Sequence, residues 1–130
     1  MGKRFKVACL QLNSGQSVKK NLNQTLKFLK RAVKLNAKLI LTPEITNIVS
    51  SNREHLLKET YSEKNDPCLN MAKEFAENNS VWIILGSIIV KDNNKRLFNR
   101  SYLINNKGII ISKYDKIHMF DAIISSKEVY

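Results

Sequence analysis

At 130 residues, 43% of them hydrophobic, the chain has ordinary globular composition and the size of one small domain with a modest core. Its formal net charge of +11 invites a nucleic-acid partner, yet lysines far outnumber arginines and the cations form no aromatic-interleaved patch. With no helix-turn-helix, zinc or RNP signature either, a solvated basic surface is favoured over nucleic-acid binding.

The N-terminus is basic, and the apolar run at residues 7–12 is broken by Gln11 and too short for a signal-peptide core or a membrane span. Lys6 stands where a myristoylation motif needs Ser or Thr. A cytoplasmic protein without membrane contact is the expectation. Cys9 and Cys68 are too few for a disulfide framework and lack metal-site spacing, so they are read as reduced thiols, with no metal or cofactor expected.

Residues 5–12 are almost continuously apolar and end in the turn cluster Asn13-Ser14-Gly15, which predicts a central strand. From Val18 the spacing changes to Leu22, Leu26, Leu29 and Val33, the stripe of an amphipathic helix capped by Ser17 and closing near Asn36. Leu39-Ile40-Leu41 follows as a strand buried on both faces, parallel to the first. It is stopped by Pro43, which cannot donate to a ladder.

Glu44 comes next, the first acid in the chain after ten Lys and Arg residues. Two local readings compete. At the carboxyl end of a parallel strand, Glu44 would occupy the position where open α/β sheets place ligand sites. Alternatively, Thr42-Pro43-Glu44 is a helix start, with N-cap, proline at the first helical position and acid in the first turn. Local sequence alone slightly favours the helix start.

Residues 45–51 read as a loop and residues 52–61 as a short charged helix. Asn65-Asp66-Pro67 opens another helix, with Leu69, Ala72, Phe75 and Ala76 on one face and Asn78-Asn79 closing it. Residues 81–85 form a second buried strand, stopped by Gly86, and residues 87–90 extend or re-enter the sheet. Residues 91–95 are a polar turn. Residues 97–104 and 109–114 form an antiparallel hairpin around Asn105-Asn106-Lys107-Gly108. The chain thus begins as parallel α/β and ends as a meander, with no repeat or linker to divide it.

The ordered segments Val-Ala-Cys-Leu-Gln-Leu, Leu-Thr-Pro-Glu, Val-Trp-Ile-Ile-Leu-Gly-Ser, Leu-Phe-Asn-Arg-Ser-Tyr-Leu-Ile and Tyr-Asp-Lys-Ile-His-Met-Phe-Asp resemble the first half of the nitrilase, or carbon-nitrogen hydrolase, superfamily. Pro-Glu-Ile-Thr-Asn and the Phe-Asp ending are most similar to bacterial relatives of amidases acting on deaminated glutathione and similar ω-amides. The resemblance implies the N-terminal portion of a four-layer α-β-β-α sandwich, with residues 1–130 a partial domain. It also implies a Glu-Lys-Cys triad. Glu44 matches the glutamate base, and Lys116 matches the lysine that stabilises the oxyanion. His118 and Asp121 are read as packing residues of the motif loop.

The family's cysteine follows the lysine motif by a few tens of residues, and Tyr130 comes before that position. Cys9, read as a buried strand thiol, and Cys68, at a helix start where a dipole lowers a thiol pKa, match no nucleophile position. Glu128 resembles the lead-in to a supporting glutamate and is not assigned that role. The expectation is an inactive partial amidase that lacks its nucleophile. Its partners are expected to be a small amide once completed, a complementary C-terminal fragment, or further copies of itself. The competing expectation is a non-catalytic basic α/β binding module.

Overall fold

The computed structural model describes residues 4–117 together with the backbone of 123–125 and 128–129. The elements run β1 (Lys6–Cys9), α1 (Val18–Lys34), β2 (Ala37–Leu41), α2 (Arg53–Glu59), a 3-10 turn (Glu63–Asn65), α3 (Pro67–Asn79), β3 (Trp82–Lys91), β4 (Leu97–Ile104) and β5 (Ile110–Asp115). Two short strands, β6 (Ile123–Ser125) and β7 (Glu128–Val129), pair antiparallel with each other. The main sheet has the order β1-β2-β3-β4-β5, parallel from β1 to β3 and antiparallel from β3 to β5.

Local chemistry sets the helix boundaries. The Ser17 hydroxyl accepts from the Lys20 amide at the start of α1, and Arg31 and Lys34 sit in its last turn, where the helix dipole favours cations. Asn36 then turns the chain with φ 63°, a conformation asparagine tolerates. In α3, Asp66 caps the Leu69 amide at 2.8 Å and Pro67 takes the first turn, where a missing N–H costs nothing.

Strand register assigns each side chain to one of two faces, because partners across a ladder share a side and neighbours along a strand do not. On one face Ile40 pairs with Ile83, Ile83 with Ile104, and Leu85 with Tyr102. These residues are at most 1% exposed, in one cluster with Leu29 and Ala32 of α1 and Leu69, Ala72, Phe75 and Ala76 of α3. On the opposite face Val7 pairs with Leu39, Leu39 with Trp82, Leu41 with Ile84, and Ile84 with Leu103. Val7 is 49% and Trp82 39% exposed, and an open groove of about 490 Å³ runs between Phe5, Leu39, Trp82, Ile84 and Leu103. Among the described residues nothing covers this side.

Three expectations change. The first strand is not central but lies at the sheet edge, and it is shorter than residues 5–12. The middle of β2 is buried on one face only, since Leu39 and Leu41 are half-buried while Ile40 is fully enclosed. In both strands a continuous apolar run suits burial on two sides, and helices cover just one. Gly86 does not stop β3, which runs on to Lys91 with an irregular register between Leu85 and Ile88. A glycine inside a strand marks a bulge or a close backbone approach, and here it marks both. No helix among the described residues is long and apolar enough to cross a membrane.

Candidate active site

Beyond β2 the chain does not become a helix. Thr42 makes one last ladder bond, from its amide to the Ile84 carbonyl at 3.0 Å, and Pro43 then ends the strand. The next residues are clamped to β3. Ile45 N–H donates to the Ser87 hydroxyl at 2.8 Å, Thr46 N–H to the Ser87 carbonyl at 2.8 Å, and the Thr46 hydroxyl to the Pro43 carbonyl at 2.9 Å. A Cβ on residue 86 would lie 2.4 Å from the Thr42 carbonyl oxygen, so only glycine lets the two backbones meet. Ile45 takes a left-handed φ of 51°, which a β-branched residue adopts only when its surroundings enforce it.

This clamp presents Glu44 at the strand's carboxyl end, as the strand-end reading expects and contrary to the local preference for a helix start. Lys116 follows directly on β5. The two meet across 72 residues of sequence, with the Lys116 ammonium donating to Glu44 Oε1. Asn99 Nδ2, on β4, donates to the same oxygen at 3.0 Å. The Lys116 hydrogen bond holds the Glu44 carboxyl below the usual carboxylate range, opposed by partial desolvation and supported by Asn99. Glu44 is therefore ionised at neutral pH, with a cation fixed beside it.

The opposite side of the same strands carries a second charged cluster. Arg100 grips Asp115 with two bonds, Nε to Oδ1 at 2.5 Å and Nη2 to Oδ2 at 2.8 Å, and also donates to Glu63. Tyr102 and Lys113 donate to Glu63 as well, at 3.1 Å and 3.2 Å. Burial raises the Glu63 carboxyl, and Arg100, Lys113 and Tyr102 together outweigh it and leave it low. This network fastens the end of β5, from which Lys116 projects.

Neither cysteine joins the pair. Cys68 is 1% exposed, and burial, with the Asp66 charge next, pushes its thiol far up, opposite to the dipole-lowered thiol that its helix-start position suggests. Cys9 is exposed on β1 rather than packed, because its face of the sheet is uncovered. His118, Asp121 and the Glu128 side chain lie outside the described residues. Among the described residues no cluster of His, Cys, Asp or Glu could hold a metal.

Sequence reasoning left Asn99, Ser87 and Asn47 without roles. Asn47 is 1% exposed and holds the loop to β3 through Ile89, Nδ2 to carbonyl at 2.8 Å and amide to Oδ1 at 2.9 Å. The available signal was an asparagine inside an otherwise well-patterned strand at position 99, where β-propensity disfavours it.

A family model described as carbon-nitrogen hydrolase matches residues 6–130. The chain belongs to the carbon-nitrogen hydrolase family. It is 33% identical over 127 residues to nitrilase homolog 2 of Dictyostelium discoideum, covering 96% of this chain and 38% of that protein. It is 31% identical over 122 residues to the deaminated glutathione amidase of Yersinia enterocolitica, covering 92% of this chain and 42% of that one. Among solved structures, the NitFhit protein of C. elegans superposes with a TM-score of 0.81 at 21% identity, over 95% of this chain and 30% of its own length. That likeness concerns the fold, which matches an N-terminal part of an α-β-β-α sandwich. The 130 residues of this carbon-nitrogen hydrolase span less than half the length of these relatives.

Proposed function

We propose that residues 1–130 are a partial carbon-nitrogen hydrolase domain of amidase type, in which Glu44 is the general base and Lys116 the oxyanion-stabilising cation. The observation that carries this reading is the Glu44–Lys116 ion pair, formed between residues 72 apart in sequence at the carboxyl end of a parallel strand. In the reaction Glu44 takes the proton of a cysteine thiol, and the thiolate attacks the carbonyl carbon of a small amide. The tetrahedral oxyanion develops beside the Lys116 ammonium, where fixed positive charge stabilises it. As the C–N bond breaks, the amine leaves with the proton that Glu44 held. Glu44 then takes a proton from water, whose hydroxide cleaves the thioester to release the acid and restore the thiol.

Neither Cys9 nor Cys68 serves as that thiol, so these 130 residues alone do not complete the cycle. The uncovered sheet face is closed by association, either with a complementary segment that brings the nucleophile and a second sheet or with another copy of this chain. A thiol-dependent cycle suits the reducing cytoplasm.

The test is ammonia release from a panel of small amides. The 130-residue chain alone is expected to show none. Fused after Tyr130 to the remainder of the Dictyostelium relative it is expected to turn over, with Glu44→Gln lowering kcat about 10²- to 10⁴-fold and Lys116→Met about 10²- to 10³-fold. A folded, active fusion indifferent to Glu44→Gln overturns the assignment.

A further inference from the structure

Asn99 lies in β4 between Phe98 and Arg100, and it touches both members of the pair. Its side-chain Nδ2 donates to Glu44 Oε1 at 3.0 Å, while its main-chain carbonyl accepts the Lys116 N–H at 2.9 Å. It is 6% exposed, and its Oδ1 is buried without a partner among the described residues. Buried amides are normally satisfied at both ends. Asn47 shows this in the same molecule, with both ends of its side chain bonded to the Ile89 backbone. At Asn99 the donor end is committed to a carboxylate and the acceptor end is left bare. Turning the amide over would aim Oδ1 at the Glu44 oxygen, lone pair against lone pair, so the carboxylate fixes the amide's orientation and the amide fixes the carboxylate's.

Among the described residues, every hydrogen bond that Glu44 accepts from a side chain falls on Oε1. Lys116 alone could not hold that geometry, because its ammonium is a point donor on a flexible stem. We propose that Asn99 is a positioning residue which locks Glu44 Oε1 against Lys116 and thereby leaves Glu44 Oε2 as the oxygen that exchanges the proton. The catalytic meaning of this inference rests on the amidase reading, whereas its geometry does not.

The decisive experiment is a pH titration of the 130-residue chain by NMR, following the Asn99 side-chain amide and the Glu44 carboxyl carbon. Both signals are assigned in the unsubstituted chain by through-bond correlation to their own backbone amides. In the unsubstituted chain the Asn99 amide should move with the Glu44 midpoint, and that response should vanish in Glu44→Gln. In Asn99→Leu the Glu44 midpoint should rise toward that of an ordinary glutamate. It should rise further in the isosteric Asn99→Asp, which replaces a donor by a second carboxylate. A merely structural asparagine would lower stability on substitution and leave the Glu44 midpoint in place. An Asn99 amide that ignores the Glu44 titration in the unsubstituted chain overturns the inference, even if neither variant folds. So does an unchanged Glu44 midpoint in either folded variant. If no completed fusion hydrolyses an amide, the amidase reading fails while the titration still decides the role of Asn99. In an active fusion, Asn99→Leu should lower kcat about 10- to 100-fold and leave KM nearly unchanged.

Discussion

Ile83 and Ile84 are adjacent in β3, identical in chemistry, and oppositely placed. Ile83 is fully buried beneath α1 and α3, whereas Ile84 is half-buried beside the open groove that Phe5, Leu39, Trp82 and Leu103 line. The sheet is apolar on both sides and covered on one. That difference separates the face that stabilises the chain from the face on which the proposed association would occur, and the Glu44–Lys116 pair lies beyond the carboxyl end of β2.

Substitution at the two isoleucines gives the sharpest contrast. Ile83→Ala should cost about 2–5 kcal/mol in urea denaturation, whereas Ile84→Ala should cost about 1 kcal/mol or less if its face stays wet. Equal losses would show that the second face is covered in solution. Gly86→Ala should follow, at about 1–3 kcal/mol, because the added methyl meets the Thr42 carbonyl and backbone cannot step aside. The same variant should reduce amide turnover in the fusion, since Thr42 and Pro43 carry Glu44.

Trp82→Ser combined with Ile84→Ser should lower the denaturation midpoint by less than Ile83→Ala does and shift sedimentation toward single chains, which locates any association on the open face. The smallest effect is in acid. The Arg100 hydrogen bond lowers the Asp115 carboxyl, against its desolvation, so the folded pKa lies below the unfolded one. That stabilisation is complete above the unfolded carboxylate pKa and is lost as pH falls through the lowered folded value. Asp115→Asn should therefore flatten the acid limb of melting temperature against pH. Asp66 has the opposite sign, because burial raises its pKa against the hydrogen bonds from Leu69 and Asn47. Its contribution is present below the unfolded pKa and fades as pH rises through the folded one.

Helices and turns were the legible part of the fold, since Ser17, Asp66-Pro67 and Asn105 to Gly108 act on their own backbone neighbours. Strand rank was not legible. A run such as residues 5–12 reports how apolar its surroundings must be, and says nothing of whether those surroundings are present. At the site, Glu44 and Lys116 were found through the order of motifs rather than local pattern, which slightly preferred a helix at Thr42. The helix start fails because Ser87, some forty residues on, takes the Ile45 and Thr46 amides and donates to the Pro43 carbonyl. The Gly86 amide meanwhile donates to the Thr42 hydroxyl that would have capped the first turn. Asn99 escaped notice for a related reason: its value lies in what stands across the sheet from it.

The bare side of the sheet also sets a temperature rule. Removing apolar surface from water is driven almost wholly by entropy near 25 °C and weakens on cooling. Whatever occupies the surface around Val7, Leu39, Trp82 and Ile84 is therefore held with a negative heat-capacity change and loosens in the cold. Under the proposed association, a chilled solution should favour the solitary chain and a warmed one the assembly.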